Sequence, residues 1–189
     1  GWPCWAISNH DVQRAVTRWG GTDADDALAK QLVALVCSLR GTVCLYQGEE
    51  LGLPEADVPY EALQDPYGKT FWPNFKGRDG CRTPMPWRDA EHGGFSDAKP
   101  WLPVPDEHLA RAVSVQQADP NSVLNHYRDA IALRHRHPAL RLGEQQIRAE
   151  GDVLIIERQQ GDDRVTLRAN LSNNATAGLA PWQVEINEG

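Results

Sequence analysis

Leu28-Ala29-Lys30-Gln31-Leu32-Val33-Ala34-Leu35-Val36-Cys37-Ser38-Leu39-Arg40-Gly41-Thr42-Val43-Cys44-Leu45-Tyr46 is the stretch that decides the fold class. Leu28, Leu32, Leu35 and Leu39 recur at helical spacing, Thr22 or Asp23 can cap the helix, Asp25 and Asp26 lie in its first turn, and Gly41 supplies the stop. Thr42 to Tyr46 is short, β-branched and apolar, which predicts a strand. Upstream, Trp2-Pro3-Cys4-Trp5-Ala6-Ile7 is a second apolar run of strand length. Strand, helix, strand predicts an α/β unit with a parallel sheet. The first run has nothing before it to pair with, so the chain reads like the middle of a longer one.

Downstream the periodicity dissolves. From Gly52 to about Pro105 lie nine of the 13 prolines, five further glycines (Gly68, Gly77, Gly80, Gly93, Gly94) and Trp72, Trp87 and Trp101. A stretch of that length without secondary structure is expected only where it is functional, because its backbone groups need partners without a ladder, and aromatic-rich loops often line sugar sites. A second helix is predicted with Asp119 as cap, Pro120 at its first position, Val123, Leu124, Tyr127 and Ile131 on one face, and basic residues before Pro138. His135 and His137 need no metal to explain them. Beyond Gly143, Val153-Leu154-Ile155-Ile156 and Val165-Thr166-Leu167 flank Gln160-Gly161-Asp162-Asp163 as a hairpin, so a small β unit is expected from about Leu142 to Glu144 onward.

Composition narrows the function. The 189 residues carry a net charge of −7, and no basic cluster exceeds Arg134-His135-Arg136-His137, which argues against nucleic acid or an anionic membrane as partner. A neutral or cationic small substrate suits the chain better. The longest apolar run, Leu32 to Cys37, is far short of a membrane span. Cys4, Cys37, Cys44 and Cys81 have no metal-ligand spacing and form no disulfide framework, so reduced, mostly buried thiols in a cytoplasmic setting are expected. The sequons at Asn170 and Asn174 carry no weight.

Three motifs could carry chemistry. Ile7-Ser8-Asn9-His10-Asp11 follows a strand, where α/β folds place reacting groups, although such a triplet more often caps a loop. Gln47-Gly48-Glu49-Glu50-Leu51-Gly52 follows the second strand; its adjacent acids could share a proton or orient a base, but usually such acids are solvated or paired with an arginine. Gly77-Arg78-Asp79-Gly80-Cys81-Arg82-Thr83-Pro84-Met85-Pro86-Trp87 holds two arginines, an acid and a tryptophan that suit hydroxyl recognition and sugar stacking, or equally a salt bridge pinning the loop.

In order and spacing the three motifs resemble glycoside hydrolase family 13, the α-amylase superfamily, and most closely its bacterial α-glucosidase and oligo-1,6-glucosidase branch. The resemblance covers roughly residues 1 to 142 and implies the C-terminal part of a catalytic (β/α)8 TIM barrel, with strands seven and eight, their helices and a long eighth loop. Residues 143 to 189 are similar to the family's antiparallel C-terminal β domain, here expected to be incomplete. Carried over residue by residue, the resemblance implies that Asp11 is the third catalytic carboxylate, that His10 binds the same glucose, and that Arg78 holds the non-reducing glucose. Glu50, Asp79 and Arg82 would support them, with no metal and no cofactor.

A retaining glycosidase needs a nucleophile and an acid carboxyl about 5 Å apart. In this family both lie upstream of the Ser8-Asn9-His10-Asp11 segment, and the Gly-Phe-Arg-x-x-Asp nucleophile run has no copy here; Gly94-Phe95-Ser96-Asp97 is an echo without the arginine. The resemblance therefore implies a fragment of an α-glucosidase acting on short α-glucosides or oligosaccharides, inactive alone, completed by the N-terminal part of the barrel and prone to self-association through open sheet edges. Two rivals stand beside it. One is a glucosyl-transferring parent similar to amylosucrases or trehalose synthases. The other is a non-catalytic sugar-binding or scaffold protein similar to the family-related heavy subunits of amino-acid transporters, against which the intact His10, Asp11 and Arg78 argue.

Overall fold

Two backbone amides join the outer parts of the opening unit: Thr42 N donates to Pro3 O at 2.9 Å and Cys44 N to Trp5 O at 2.8 Å. In the computed structural model, which describes residues 1–21 and 25–189, these bonds make β1 (Cys4–Trp5) and β2 (Thr42–Val43) a parallel pair in the register Cys4 with Thr42 and Trp5 with Val43. The expected parallel pairing is present, in shorter strands than the apolar runs suggested. Between them along the chain come α1 (Ala15–Gly20) and α2 (Asp26–Ser38). Thr22 and Asp23, the expected caps of α2, lie outside the described residues. Then follow α3 (Pro66–Phe71), α4 (Asp106–Leu109), α5 (Val113–Gln116), α6 (Val123–Arg136) and α7 (Pro138–Leu142). Four antiparallel strands close the order: β3 (Glu144–Glu150), β4 (Val153–Gln160), β5 (Asp163–Asn170) and β6 (Val184–Glu188).

The chain divides into two compact units: Gly1–Ala6, Asp26–Cys44 and His126–Gly189 form one, Ile7–Asp25 and Leu45–Asn125 the other. In the first, α2 covers one face of the antiparallel sheet. Ala34 packs with Ile156, Leu167 and Ala169, and Leu35, Leu39, Leu154, Val184 and Ile186 complete the cluster. Each fully buried Ile or Leu contributes about 1.5–3 kcal/mol. The opposite face of β4 is covered too: Val153 and Ile155 pack on Leu179, which is why the run Val153 to Ile156 is apolar at every position. Helix α2 is likewise buried on more than a stripe, with Val33, Ala34, Val36 and Cys37 more enclosed than Leu32 or Leu35. The helix stops at Ser38, and Gly41, three residues on, turns the chain into β2 at a φ of 126°, where a side chain would also run into the Pro3 carbonyl.

A buried arginine and a half-buried one complete this unit. Arg158, 1% exposed, donates from Nη1 to Ser38 O (2.7 Å) and Leu140 O (2.8 Å), from Nη2 to Gly143 O (3.0 Å) and from Nε to Glu144 O (3.2 Å). Arg134 donates to the carbonyls of Cys37, Leu39, Leu140 and Gly41. Two guanidinium groups thus satisfy the carbonyls that α2 and α7 leave unpaired at their C-terminal ends. His137 sits between Asp163 Oδ1 (2.7 Å) and Glu188 Oε2 (2.8 Å), whose hydrogen bonds hold the imidazole above its ordinary pKa; His137 in turn holds Asp163 below its own, and Arg136 together with His137 does so for Glu188.

The second unit has little regular structure, and among the described residues its apolar side chains gather in small clusters. Ala56, Val58, Leu63 and Leu102 pack with Ala62 and Trp72; Leu51, Leu53 and Leu124 pack with Met85 and Val113. Side chains replace the missing ladder. His108, fully buried, meets Pro54 O at 2.9 Å and Thr83 Oγ1 at 3.3 Å. Burial lowers it to a pKa of about 4, so it is neutral, and because Pro54 O can only accept, Nε2 carries the proton. Gln116 donates to Leu51 O and Arg111 O and accepts from Leu124 N.

Several sequence expectations need correction. The cap of α6 is Ser122, whose Oγ accepts from Asn125 N at 3.2 Å; Asp119 and Pro120 form the preceding turn, with Asp119 Oδ1 accepting from Asn121 N. On α6 Val123, Leu124, Tyr127 and Ala130 are buried, whereas Ile131 is exposed. Only Cys37 and Cys81 are buried thiols; Cys4 and Cys44 are exposed on or beside the two-stranded ladder, and all four are free. Beyond the expected hairpin, β3 and β6 extend the sheet. β3 was invisible because it is an edge strand with solvent on both faces, so its sequence does not alternate. Asn170 is fully buried with its amide donating to Asn174 O and Ala180 O.

Two outcomes follow. Arg158→Met orphans the carbonyls that Arg158 serves and should lower stability by about 2–3 kcal/mol in urea unfolding followed by circular dichroism. For His137 the folded pKa is raised, so its contribution is complete below the unfolded value of about 6.5 and fades as pH rises through the folded value. Wild type should therefore lose its stability advantage over His137→Gln as pH rises from about 6.5 through the raised folded value in paired thermal melts.

Candidate active site

Ser8, Asn9, His10 and Asp11 are shaped by their own side chains before anything else touches them. The buried Ser8 Oγ accepts from Ala15 N at 3.2 Å, which fixes the entry to α1, and Asn9 Oδ1 accepts from Asp11 N at 2.8 Å, closing a tight turn. That turn presents His10 and Asp11 outward, with their side chains 68% and 50% exposed. The third motif then seizes the turn. Arg82 donates from Nε to His10 O (2.7 Å) and from Nη2 to Asp11 Oδ1 (2.9 Å), and Arg78 donates from Nη1 to the same Oδ1 (3.0 Å). Asp11 Oδ2 is left facing His10 Nε2 at 3.4 Å. One carboxylate oxygen is locked by two cations while the other stays open to an incoming hydroxyl.

The grip on Arg78 comes from Asp65, which the sequence reading did not single out. Its Oδ2 accepts from Arg78 N (2.9 Å) and Nε (2.8 Å), its Oδ1 from Arg78 Nη2 (3.1 Å) and from Tyr67 N (3.1 Å). Hydrogen bonds from Arg78 hold the Asp65 carboxyl down to a pKa of about 2. The only legible signal was the dipeptide Asp65-Pro66, the cap and first position of α3. Asp79 is buried and accepts from Gln64 N (2.6 Å) and Asp65 N (2.8 Å), so it supports the loop and not the carboxylate directly.

The second motif stays at one remove from Asp11. Glu50 folds back so that its Oε2 accepts from Gly48 N at 2.7 Å, and Tyr46 donates its hydroxyl to Cys81 O at 3.0 Å, tying this motif to the arginine loop. Gly48 adopts a φ of 91° with the Arg14 guanidinium packed where a side chain would stand. Arg14, 3% exposed, donates from Nη1 to Gln47 O (2.9 Å), and its amide donates to Glu55 Oε2 (2.8 Å). Its Nε and Nη2 and both oxygens of the buried Glu49 make no hydrogen bond of ordinary length among the described residues. Burial pushes Glu49 up to about 7, against the opposing effects of the nearby Tyr46 backbone and Ser8 hydroxyl; burial raises Glu55 and lowers Arg14.

A cavity of about 650 Å³ opens beside this cluster, lined by Asp11, Val12, Thr17, Glu55, Phe75, Lys76 and Arg78 among others. Its volume suits a small ligand. The aromatic on its wall is Phe75; the tryptophans expected to line a sugar site are elsewhere, Trp72 packed in an apolar cluster and Trp87 and Trp101 exposed. Among the described residues no group of three or more His, Cys, Asp or Glu is placed to hold a metal ion, and no helix is long and apolar enough to cross a membrane.

Comparison with known proteins gives this geometry a context. Residues 1–143 match the family model described as the alpha amylase catalytic domain. A "Probable alpha-glucosidase" of Rhizobium meliloti is 54% identical over 185 residues, covering 97% of this chain and 34% of its own length. An "Oligo-1,6-glucosidase" of Parageobacillus thermoglucosidasius is 32% identical, covering 96% of this chain and 36% of its own length. Among solved structures, the alpha-glucosyl transfer enzyme XgtA superposes with a TM-score of 0.92 at 51% identity, covering all of this chain and 40% of the solved one. The chain spans about a third of the length of the curated relatives it matches.

Glu49 yields a prediction of its own. An acid whose folded pKa is raised from about 4.5 to about 7 costs stability as pH climbs through that window. Glu49→Gln keeps the shape without the ionisation, so it should melt like wild type at pH 4 and be more stable by up to about 3 kcal/mol at pH 8. Parallel melting curves at the two pH values check this.

Proposed function

The chain belongs to the α-amylase family of glycoside hydrolases, family 13, and on that premise we propose that it is part of a retaining α-glucosidase that releases terminal α-linked glucose from short oligosaccharides or α-glucosides. The observation that carries the reading is the double anchoring of Asp11 Oδ1 by Arg78 and Arg82 with Oδ2 left open beside His10. Glycosidic cleavage passes through an oxocarbenium-like transition state, and a carboxylate already held in one rotamer stabilises that charge without reorganising. In this role Asp11 is the third catalytic carboxylate, His10 and Arg78 hold hydroxyls of the same glucose, and Arg82 keeps the Asp11 turn in place. Asp79 and Glu50 act on backbone only, as loop supports.

In the same proposal residues 1–142 are barrel units seven and eight with their long loop, and 143–189 belong to a C-terminal β domain. The family match ending at residue 143, the parallel β1–β2 pair and the antiparallel sheet from Glu144 support that division. The nucleophile and general acid are assigned to the N-terminal part of the barrel, so the 189 residues alone are inactive and self-associate. Four free cysteines and a net charge of −7 support a cytoplasmic enzyme of neutral sugars with no nucleic-acid or membrane partner.

A second reading rests on the 51% identity to a glucosyl transfer enzyme: the same site would pass glucose to an acceptor hydroxyl instead of water. Both readings use Asp11 alike. In the full-length protein Asp11→Asn should reduce turnover of an aryl α-glucoside by about 1,000-fold or more with an unchanged melting temperature, in line with losing a group preorganised for the transition state. Near-normal turnover would reject both readings. Free glucose against glucosylated acceptor in the product mixture separates hydrolysis from transfer.

A further inference from the structure

A guanidinium has five N–H donors. In Arg78, Nε and one hydrogen of Nη2 go to Asp65, and one hydrogen of Nη1 goes to Asp11. Two hydrogens remain, one on each terminal nitrogen, on a side chain that lines the cavity. The pairing with Asp65 is fork to fork, with both carboxylate oxygens and two guanidinium nitrogens engaged, which fixes the plane of the group and not merely its distance. The Asp65 side chain is fully buried, whereas that of Arg78 is 30% exposed. The backbone of residues 64 and 65 is itself held by the buried Asp79. A flexible arginine stem at a cavity edge is therefore tethered through Asp65 to the loop interior.

Resting on the function proposed above, we infer that Asp65 is a positioning residue of the active site: it locks the Arg78 guanidinium in the one orientation that meets Asp11 with Nη1 and turns the two free donors toward a sugar hydroxyl. Without that fork Arg78 can swing to pair both terminal nitrogens with Asp11, or out to solvent, and Asp11 loses part of its anchor. The carboxyl of Asp65, held near a pKa of 2, stays ionised across the working range of pH, so the lock does not depend on pH there. Asp65 also caps α3 through Tyr67 N, a structural duty that the test has to separate from positioning.

Asp65→Ser separates the two, because serine retains a capping oxygen but is too short to reach the guanidinium. In the full-length protein, Asp65→Ser, which also leaves the Arg78 amide without its acceptor, should stay folded with a lowered melting temperature, and below that temperature kcat/KM on an aryl α-glucoside should fall by about 100-fold, the scale of a misplaced catalytic group. Arg78→Ala should cost a similar factor. The double variant should cost no more than either single one, since both act through the same guanidinium; a merely structural Asp65 would give additive losses. An Asp65→Ser variant within twofold of wild type, or a double variant showing the product of the single losses, overturns the inference. If either happens while Asp11→Asn is still inactive, only the role of Asp65 falls; if Asp11→Asn is active, the proposed function falls first. A measurement free of any variant guards against misfolding: in the full-length protein the Arg78 Nε–H, bonded to a buried carboxylate, should exchange with water about tenfold or more slower than arginine Nε–H groups exposed to solvent. Exchange at the same rate as those groups overturns the lock.

Discussion

Every buried peptide group must find a hydrogen-bond partner, and in this chain a large share find it in a charged or polar side chain instead of a ladder. Arg134 and Arg158 gather the carbonyls at the ends of α2 and α7, and Asp79 gathers the amides of Gln64 and Asp65. His108 and Gln116 do the same for the loops around Pro54 and Leu51. Removing one such group strands several partners at once, which makes these residues more consequential than their small apolar neighbours.

The candidate active site is an extension of the same device. A proline-rich segment cannot present a rigid surface by secondary structure, so rigidity is supplied by a chain of charges: Asp79 holds the Asp65 backbone, Asp65 holds Arg78, and Arg78 with Arg82 holds Asp11. From Asp65 onward the signs alternate, so Asp65, Arg78 and Asp11 each meet an opposite charge, while the buried Asp79 is satisfied by neutral backbone amides. Only at Asp11 and His10 does the chain end in exposed groups, which is where a substrate can complete it. Beside it, Arg14 and Glu49 form the contrasting case, buried side chains with orphaned polar atoms and a carboxyl that prefers its proton.

Much of the fold was legible because short-range signals agree with it. The α2 periodicity, the stop at Gly41 and the β-branched run after it specify strand, helix and strand, and the two-residue turn at Gly161-Asp162 joins β4 to β5 in the register Gln160 with Asp163. The errors fell where local pattern carries no information. β3 is solvated on both faces and so does not alternate, Asp119 has a capping residue's chemistry but sits one turn early, and the leucine stripe of α2 understates a helix enclosed on several sides. At the site, the three motifs were legible by residue type and order, but the hydrogen bonds of Arg78 and Arg82 to Asp11 were not.

What the amino-acid sequence determined by itself is the α/β unit, the family and the identity of the groups with chemical capacity, since these depend on residue type and on spacing within a few turns of chain. What only the tertiary structure decided is which of those groups face one another. Asp65 stands 13 residues from Arg78 and Arg78 stands 67 from Asp11, and no periodicity links positions that far apart in a segment without regular structure. Burial likewise separated Glu49 from Glu50: adjacent in the chain and identical in type, one is driven up to about 7 by loss of water while the other folds back onto the Gly48 amide. Hydrogen bonding and desolvation act through space, and the distances that govern them exist only once the chain is folded.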